Sequence, residues 1–65
     1  MISFEPLRTI LLKRGLFMYD FVKNGTISDE IATALKHDRK VNMRHLSKIA
    51  AQLDCDIGDL CEWKS

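Results

Sequence analysis

The sequence predicts one small, all-α domain with a short strand pair joining its two ends. A chain of 65 residues cannot be divided between two hydrophobic cores, and its composition, 46% apolar and 29% charged, is that of a folded globular chain. One proline and three glycines leave few turn residues for an all-β fold. Residues 2–4 and 61–63 each alternate between apolar and polar side chains, which indicates a short strand at each end.

One helix is predicted on each side of Gly15. The first runs from Phe4 to Lys13 and carries apolar residues at helical spacing, with Leu12 widening the apolar stripe. Gly15 suits the cap that ends this helix, because glycine adopts the left-handed backbone conformation without strain. Residues 16–23 form a second, shorter helix, which the following Asn-Gly pair ends.

Three further helices are predicted in the second half of the chain. The third runs from Ser28 to Lys36, and Ser28 is suited to cap its amino end. Asn42 caps a fourth helix, whose apolar residues from Met43 to Leu53 form one stripe. Asp56 opens a short fifth helix, which we expect two apolar residues to anchor to the core, namely Leu60 and Trp63.

Charge is distributed unevenly along this chain of formal net charge +1. Residues 36–48 carry a local charge of +4, since five cations stand against the single acid Asp38. Residues 49–65 carry −3, with four acids against Lys64. A basic segment beside an acidic end can give the molecule one face suited to a polyanion. The same pattern also fits a set of solvated charged faces.

Five short helices with tight connections, the second and third only a few residues apart, are the layout of a helix-turn-helix domain. The sequence resembles the Xre family of phage Cro and lambda-repressor-type proteins, and specifically its compact single-domain members. The resemblance extends from Ile2-Ser3-Phe4 to Glu62-Trp63 and is most specific over residues 46–60, LSKIAAQLDCDIGDL. It implies a five-helix, lambda-repressor-like domain that binds double-stranded DNA.

The resemblance also assigns roles to residues of the third helix and of the loop that follows it. Residues 28–36 would be the recognition helix that enters the major groove. Its candidates for contact with base edges are Ser28, Asp29, Thr33 and Lys36. The candidates for contact with DNA phosphates are Arg39, Lys40, Asn42 and Arg44. The candidates for core positions are Leu16, Phe21, Ile27 and Leu35.

Two acids at the start of the third helix have two interpretations. One carboxylate could accept a hydrogen bond from cytosine N4 and thereby contribute to base recognition. Alternatively, Asp29 and Glu30 complement the positive end of the helix dipole, which contributes some tenths of a kcal/mol each. The second interpretation is favoured, and the nearby cations would then offset the repulsion between these acids and DNA.

An apolar cluster at the start of the second helix departs from the family pattern, which has small or glutamine-like residues there. Phe17, Met18 and Tyr19 either fill the core in a shifted helix or form a protein-binding patch. Trp63 is a further candidate for a dimer or partner interface, because tryptophan is enriched at interface hot spots. The turn before Ile27 also departs from the pattern, with Gly25 one position early.

Metal binding, catalysis and membrane insertion are not predicted. Cys55 and Cys61 have C-x5-C spacing and His37 and His45 have H-x7-H spacing, unlike the close pairs of structural zinc sites. No spacing supports a catalytic Cys/His or Asp/His arrangement, a glycine-rich phosphate loop or any other cofactor site. No apolar run approaches the roughly 20 residues that span a bilayer, and the first residues do not resemble a signal peptide. We therefore expect a soluble, cytoplasmic protein that is not an enzyme.

These observations predict a sequence-specific DNA-binding transcriptional regulator, acting as a repressor and as a homodimer. The dimer follows from the resemblance and from the small contact, about 600–1,000 Å², that one module makes on DNA. The alternative is that the same fold serves as a protein-interaction module, of an antirepressor or antitoxin type.

Overall fold

A computed structural model, which describes residues 1–64, has four α-helices and one antiparallel strand pair. The elements in chain order are β1 (Ile2–Ser3), α1 (Glu5–Arg14), α2 (Met18–Lys23), α3 (Asp29–Lys36), α4 (Met43–Leu53), a 3-10 turn (Ile57–Asp59) and β2 (Glu62–Trp63). Ile2 lies opposite Trp63 and Ser3 opposite Glu62, so the two ends do pair. The mostly helical fold and the strand pair are confirmed, but the count of five α-helices is not.

The predicted fifth helix is a single 3-10 turn, because hydrogen bonds at the residues on either side of it, Asp56 and Leu60, limit its length. The Asp59 carboxylate accepts a hydrogen bond from the Asp56 amide at 3.1 Å, which is one half of a capping box. The Leu60 carbonyl then accepts from the Leu7 amide of α1 at 3.1 Å. This bond satisfies a free amide in the first turn of α1 and directs the chain into β2.

The predicted helix caps are confirmed. Gly15 ends α1 at φ +69°, the left-handed region, and its amide donates to the carbonyls of the last turn. The Ser28 hydroxyl oxygen accepts from the Ile31 amide at 3.3 Å at the start of α3. Asn42 Oδ1 accepts from the Arg44 amide at 2.9 Å at the start of α4. These caps depend only on residues close in sequence.

The core lies between the helices and the strand pair. Its buried apolar side chains are Phe4, Leu7, Leu11, Met18, Phe21, Ile27, Ala32, Leu35, Leu46, Ile49, Ala50, Leu53 and Leu60. The predicted core positions Phe21, Ile27 and Leu35 are therefore confirmed. Every helix contributes to this one core, which fixes the relative positions of the four helices.

Four apolar residues predicted to be in the core or on a buried stripe are exposed instead. Leu12 is 81% exposed because α1 packs on the core through the buried Leu7 and Leu11 and the partly buried Ile10, so its apolar stripe is narrower than predicted. Leu16 and Met43 lie at helix boundaries and are exposed. Trp63 is 78% exposed on β2, so Leu60 alone of the two predicted anchors is buried.

The turn between α2 and α3 is held by a ring of three side-chain hydrogen bonds. Asn24 Nδ2 donates to Gln52 Oε1 at 3.0 Å, Gln52 Nε2 donates to Thr26 Oγ1, and the Thr26 hydroxyl donates to Asn24 Oδ1. Gly25 supplies the positive φ of +82° that the turn requires. The ring fastens the turn of the helix pair to α4.

No helix within residues 1–64 is long and apolar enough to cross a membrane.

Candidate nucleic-acid interface

The outer face of α3 is an exposed polar stripe. Its inner face is formed by the buried Ala32 and Leu35, and its helical spacing leaves the opposite side free of contacts with the core. The exposed residues of α3 are Asp29, Glu30, Thr33 and Lys36. The structure thus brings three of the four predicted base-contacting residues onto one continuous face of an eight-residue helix.

Ser28 and Thr33, the two hydroxyl residues among the predicted base contacts, also form hydrogen bonds within α3. The Ser28 oxygen accepts a hydrogen bond as the cap of α3, which leaves its hydroxyl proton free to donate. The Thr33 hydroxyl donates to the Asp29 carbonyl at 3.0 Å, which leaves its oxygen able to accept. Asp29 and Glu30 lie in the first turn, where carboxylates stabilise the positive end of the helix dipole.

The predicted phosphate contacts lie on the loop between α3 and α4 and on the first turn of α4. Arg39, Lys40 and Arg44 are exposed, and none of them forms an ion pair with a described residue. They stand beside the amino end of α4, whose dipole adds positive potential. Asn42 is exposed as well, but its side-chain oxygen already caps α4. The arrangement suits a phosphate backbone that runs past the loop.

An ion pair that the sequence pattern does not predict fixes the carboxyl end of α3. Arg8 Nη1 of α1 donates to the Leu35 carbonyl and to Asp38 Oδ1, both at 2.9 Å. Asp38 Oδ1 also accepts from the Phe4 amide at 2.7 Å. The Arg8 guanidinium and the Phe4 amide together lower the pKa of the Asp38 carboxyl from its ordinary value.

This Arg8–Asp38 pair positions the loop between α3 and α4, which carries Arg39 and Lys40 and which we call the basic loop. Asp38 adopts a left-handed backbone conformation at φ +57°, and the next amide, of Arg39, donates back to the Ala34 carbonyl at 2.9 Å. The chain therefore reverses direction directly after α3 and leads Arg39 and Lys40 into the loop. Sequence offered no signal for this contact, because its partners lie 30 residues apart.

A second arginine of α1 makes an analogous contact elsewhere. Arg14 Nη1 donates to the Leu53 carbonyl at 2.7 Å and so satisfies a free carbonyl at the end of α4. The sequence offered no signal for this contact either, because its partners lie 39 residues apart. Arg8 and Arg14 thus hold the ends of two different helices.

The apolar residues predicted as an interface are divided between core and surface. Met18 is 5% exposed and belongs to the core, which corrects its place among the surface candidates. It points inward because α2 begins at this residue and packs its first turn on the core. Phe17 and Tyr19, on either side, are exposed, as is Trp63 at the other candidate position.

A groove of about 220 Å³ lies between the end of α1, the start of α2 and the end of α3. Its apolar lining consists of Leu11, Leu12, Leu16, Phe17 and Met18. Its polar lining consists of two cations, Arg8 and Lys36. We call this surface the α1–α2 groove. Lys36 belongs both to this groove and to the exposed stripe of α3.

The two cysteines are unpaired and half-buried. Burial raises the pKa of the Cys55 thiol, so the reactive thiolate is disfavoured. Among residues 1–64, no group of three or more His, Cys, Asp or Glu side chains is arranged to hold a metal ion.

A short helix pair with a tight turn, an exposed outer helix and an adjoining basic loop define a helix-turn-helix protein of the nucleic-acid-binding class. The chain belongs to the family of Cro/C1-type HTH DNA-binding domains, whose family model matches residues 6–65. The resemblance noted in the sequence is therefore confirmed, and the family is one of DNA-binding domains rather than of enzymes. No curated protein and no solved structure matches the chain.

Proposed function

We propose that this protein is a sequence-specific transcriptional repressor that binds its operator as a homodimer. The observation that carries the proposal is the continuity between the exposed stripe of α3 and the basic loop that follows it, in a chain of a DNA-binding family. A helix in the major groove reads base edges, while cations beside it contact phosphates and supply much of the affinity.

Each part of this surface has a distinct role in the proposal. Thr33 and Lys36 meet base edges, with Ser28 and Asp29 at the leading end of the recognition helix. Arg39, Lys40 and Arg44 contact phosphates, which sets the register of the helix in the groove. The Arg8–Asp38 pair supports this arrangement, since it joins the end of α3 and the start of the loop to α1.

The homodimer is proposed from the size of the chain. The molecule measures 33 × 23 × 18 Å along its principal axes and presents one candidate recognition helix. One small module buries about 600–1,000 Å² on DNA, whereas two modules on adjacent half-sites combine their contacts. A repressor acting on a two-fold-related operator gains specificity in this way.

The salt dependence of DNA binding tests the proposal. Fluorescence anisotropy with a duplex from the upstream region of its own gene, beside a random duplex, gives affinity and salt slope. We expect Arg39→Gln, Lys40→Gln and Arg44→Gln each to weaken binding to both duplexes. Each should also flatten the slope of log K against log salt by about 1 per contact removed.

Lys13→Gln is the matched control, because it neutralises an exposed cation outside the proposed interface and should leave the slope unchanged. An unchanged slope in all three loop variants would remove these residues from the interface. If the unmodified protein ignored both duplexes at low salt, the repressor proposal would be abandoned.

The α1–α2 groove favours a second candidate function, in which the fold acts as a protein-interaction module of an antirepressor or antitoxin type. Exposed apolar surface gathered in one place marks protein interfaces more often than nucleic-acid interfaces. Negligible DNA binding together with specific binding at the groove would favour this candidate.

A further inference from the structure

The α1–α2 groove exposes apolar surface that the fold itself does not cover. Leu12 is 81% exposed and Phe17 is 73% exposed, and both line the groove with the partly exposed Leu16. Leu11 and Met18 are buried and form its floor. Removing such apolar surface from water is favourable. A ligand that covers these residues therefore gains binding free energy from apolar surface that the folded protein already exposes.

The charge of the groove restricts what can occupy it. Both polar residues of its lining are cations, and no acid among residues 1–64 lines it. The charge of Arg8 is matched by Asp38 at 2.9 Å, whereas Lys36 forms no ion pair with any described residue. The uncompensated charge at the groove is thus the ammonium group of Lys36, which attracts a carboxylate.

The same charges argue against two other occupants. A second copy docking groove to groove would bring two Lys36 ammonium groups together without an acid from either lining, and like charges repel. A DNA backbone would meet the exposed Leu12 and Phe17 and would leave their apolar surface without an apolar partner. An acidic segment of a different protein satisfies both the apolar and the charged parts of the groove.

We propose that the α1–α2 groove docks a partner protein segment that inserts a large apolar side chain and places a carboxylate against Lys36. A groove of about 220 Å³ has room for such an anchor side chain. Because the anchor enters between α1, α2 and α3, residues beside it in the partner segment lie over Lys36.

Docking at this groove would exclude DNA. Lys36 lies on the exposed stripe of α3 that the repressor proposal assigns to base contacts, so a carboxylate bound there removes a cation from the DNA surface. This exclusion rests on the proposed DNA-binding function. The docking itself does not, since the groove exists independently of DNA.

Two synthetic helical peptides test the docking. Both carry the same apolar face of Leu and Phe, but one is flanked by Glu and the other by Lys. In a titration of the ¹⁵N-labelled protein, we expect the acidic peptide to bind saturably and to shift the amide signals of Leu12, Leu16, Phe17 and Lys36. We expect the basic peptide to bind at least about tenfold more weakly, a difference of about 1.4 kcal/mol.

Variants identify the residues responsible. Leu12→Ser and Phe17→Ser should each weaken binding of the acidic peptide about tenfold, and both change exposed side chains that the core does not require. Lys36→Gln should abolish the preference for the acidic peptide. Met43→Ser is the control, since it removes an exposed apolar side chain outside the groove and should leave binding unchanged.

Three results would overturn the docking proposal. Equal binding of both peptides would show that Lys36 does not select the acidic peptide. Signal shifts confined to other surfaces would show that the peptide does not bind in the groove. A decrease in sedimentation mass on Leu12→Ser would identify the occupant as a second copy. Failure of the protein to bind any duplex would overturn the repressor proposal alone, because the peptide titration contains no DNA.

Discussion

At the scale of single residues, the Arg8–Asp38 pair links folding to the position of the basic loop. We predict that Arg8→Gln lowers the melting temperature and also weakens DNA binding severalfold at a temperature where the variant is fully folded. Arg14→Gln is the control, because it removes the analogous contact from the end of α4. Equal losses of DNA affinity in the two variants, measured by anisotropy, would show that the Arg8 contact has no special role in DNA binding.

The same pair makes stability depend on pH in the acid range. The pKa of Asp38 is lower in the folded state than its ordinary value of 3.8, so its contribution is fully present above that value. We predict that this contribution is lost as the pH falls through the lowered pKa. Asn tolerates the left-handed conformation of residue 38, so Asp38→Asn should fold but show a flatter decline of melting temperature between neutral and acid pH. An unchanged pH profile would contradict this assignment.

At the scale of elements, Asn42 has one observed role, as the cap of α4, and one proposed role, as a phosphate contact, which substitution can separate. Its side chain caps α4, and Asn42→Ala should cost about 1 kcal/mol of unfolding free energy, measured by urea denaturation. Asn42→Asp retains an oxygen that caps the helix but places a negative charge among the loop cations. We predict that it keeps the stability of the unmodified protein and weakens DNA binding. Unchanged DNA affinity would place residue 42 away from the phosphates.

The turn between α2 and α3 belongs to the same scale. Thr26 occupies the position where the family pattern has glycine, and the positive φ falls on Gly25 instead. Thr26 and Asn24 then bind the amide of Gln52 on α4. This departure from the family pattern is thus accommodated by hydrogen bonds to α4, which keep α3 in place.

At the scale of the whole molecule, Trp63 separates assembly from folding. Its 78% exposure means that truncation removes little packing, so Trp63→Ala should change the unfolding free energy by less than about 0.5 kcal/mol. If Trp63 forms part of the proposed homodimer interface, the dimer of the variant should dissociate at a higher protein concentration than the dimer of the unmodified protein, as measured by sedimentation. A large loss of monomer stability would contradict the exposed position of this side chain.

The sequence by itself determined that four α-helices form and where three of their caps lie. Gly15, Ser28 and Asn42 were identifiable because a cap forms with residues a few positions away. The family resemblance was also visible in the sequence, and the family match confirms it. The roles of individual residues at the DNA remain predictions.

Only the tertiary structure decided which apolar side chains are buried and which distant groups meet. Leu12 and Met18 are both apolar, yet one is exposed and the other buried, because burial depends on the elements that pack against each position. Arg8 and Asp38 meet across 30 residues only because α1 packs beside the end of α3. The predicted fifth helix is limited to one turn because the Leu60 carbonyl bonds to α1. Such contacts depend on chain geometry over long separations, which local sequence patterns do not encode.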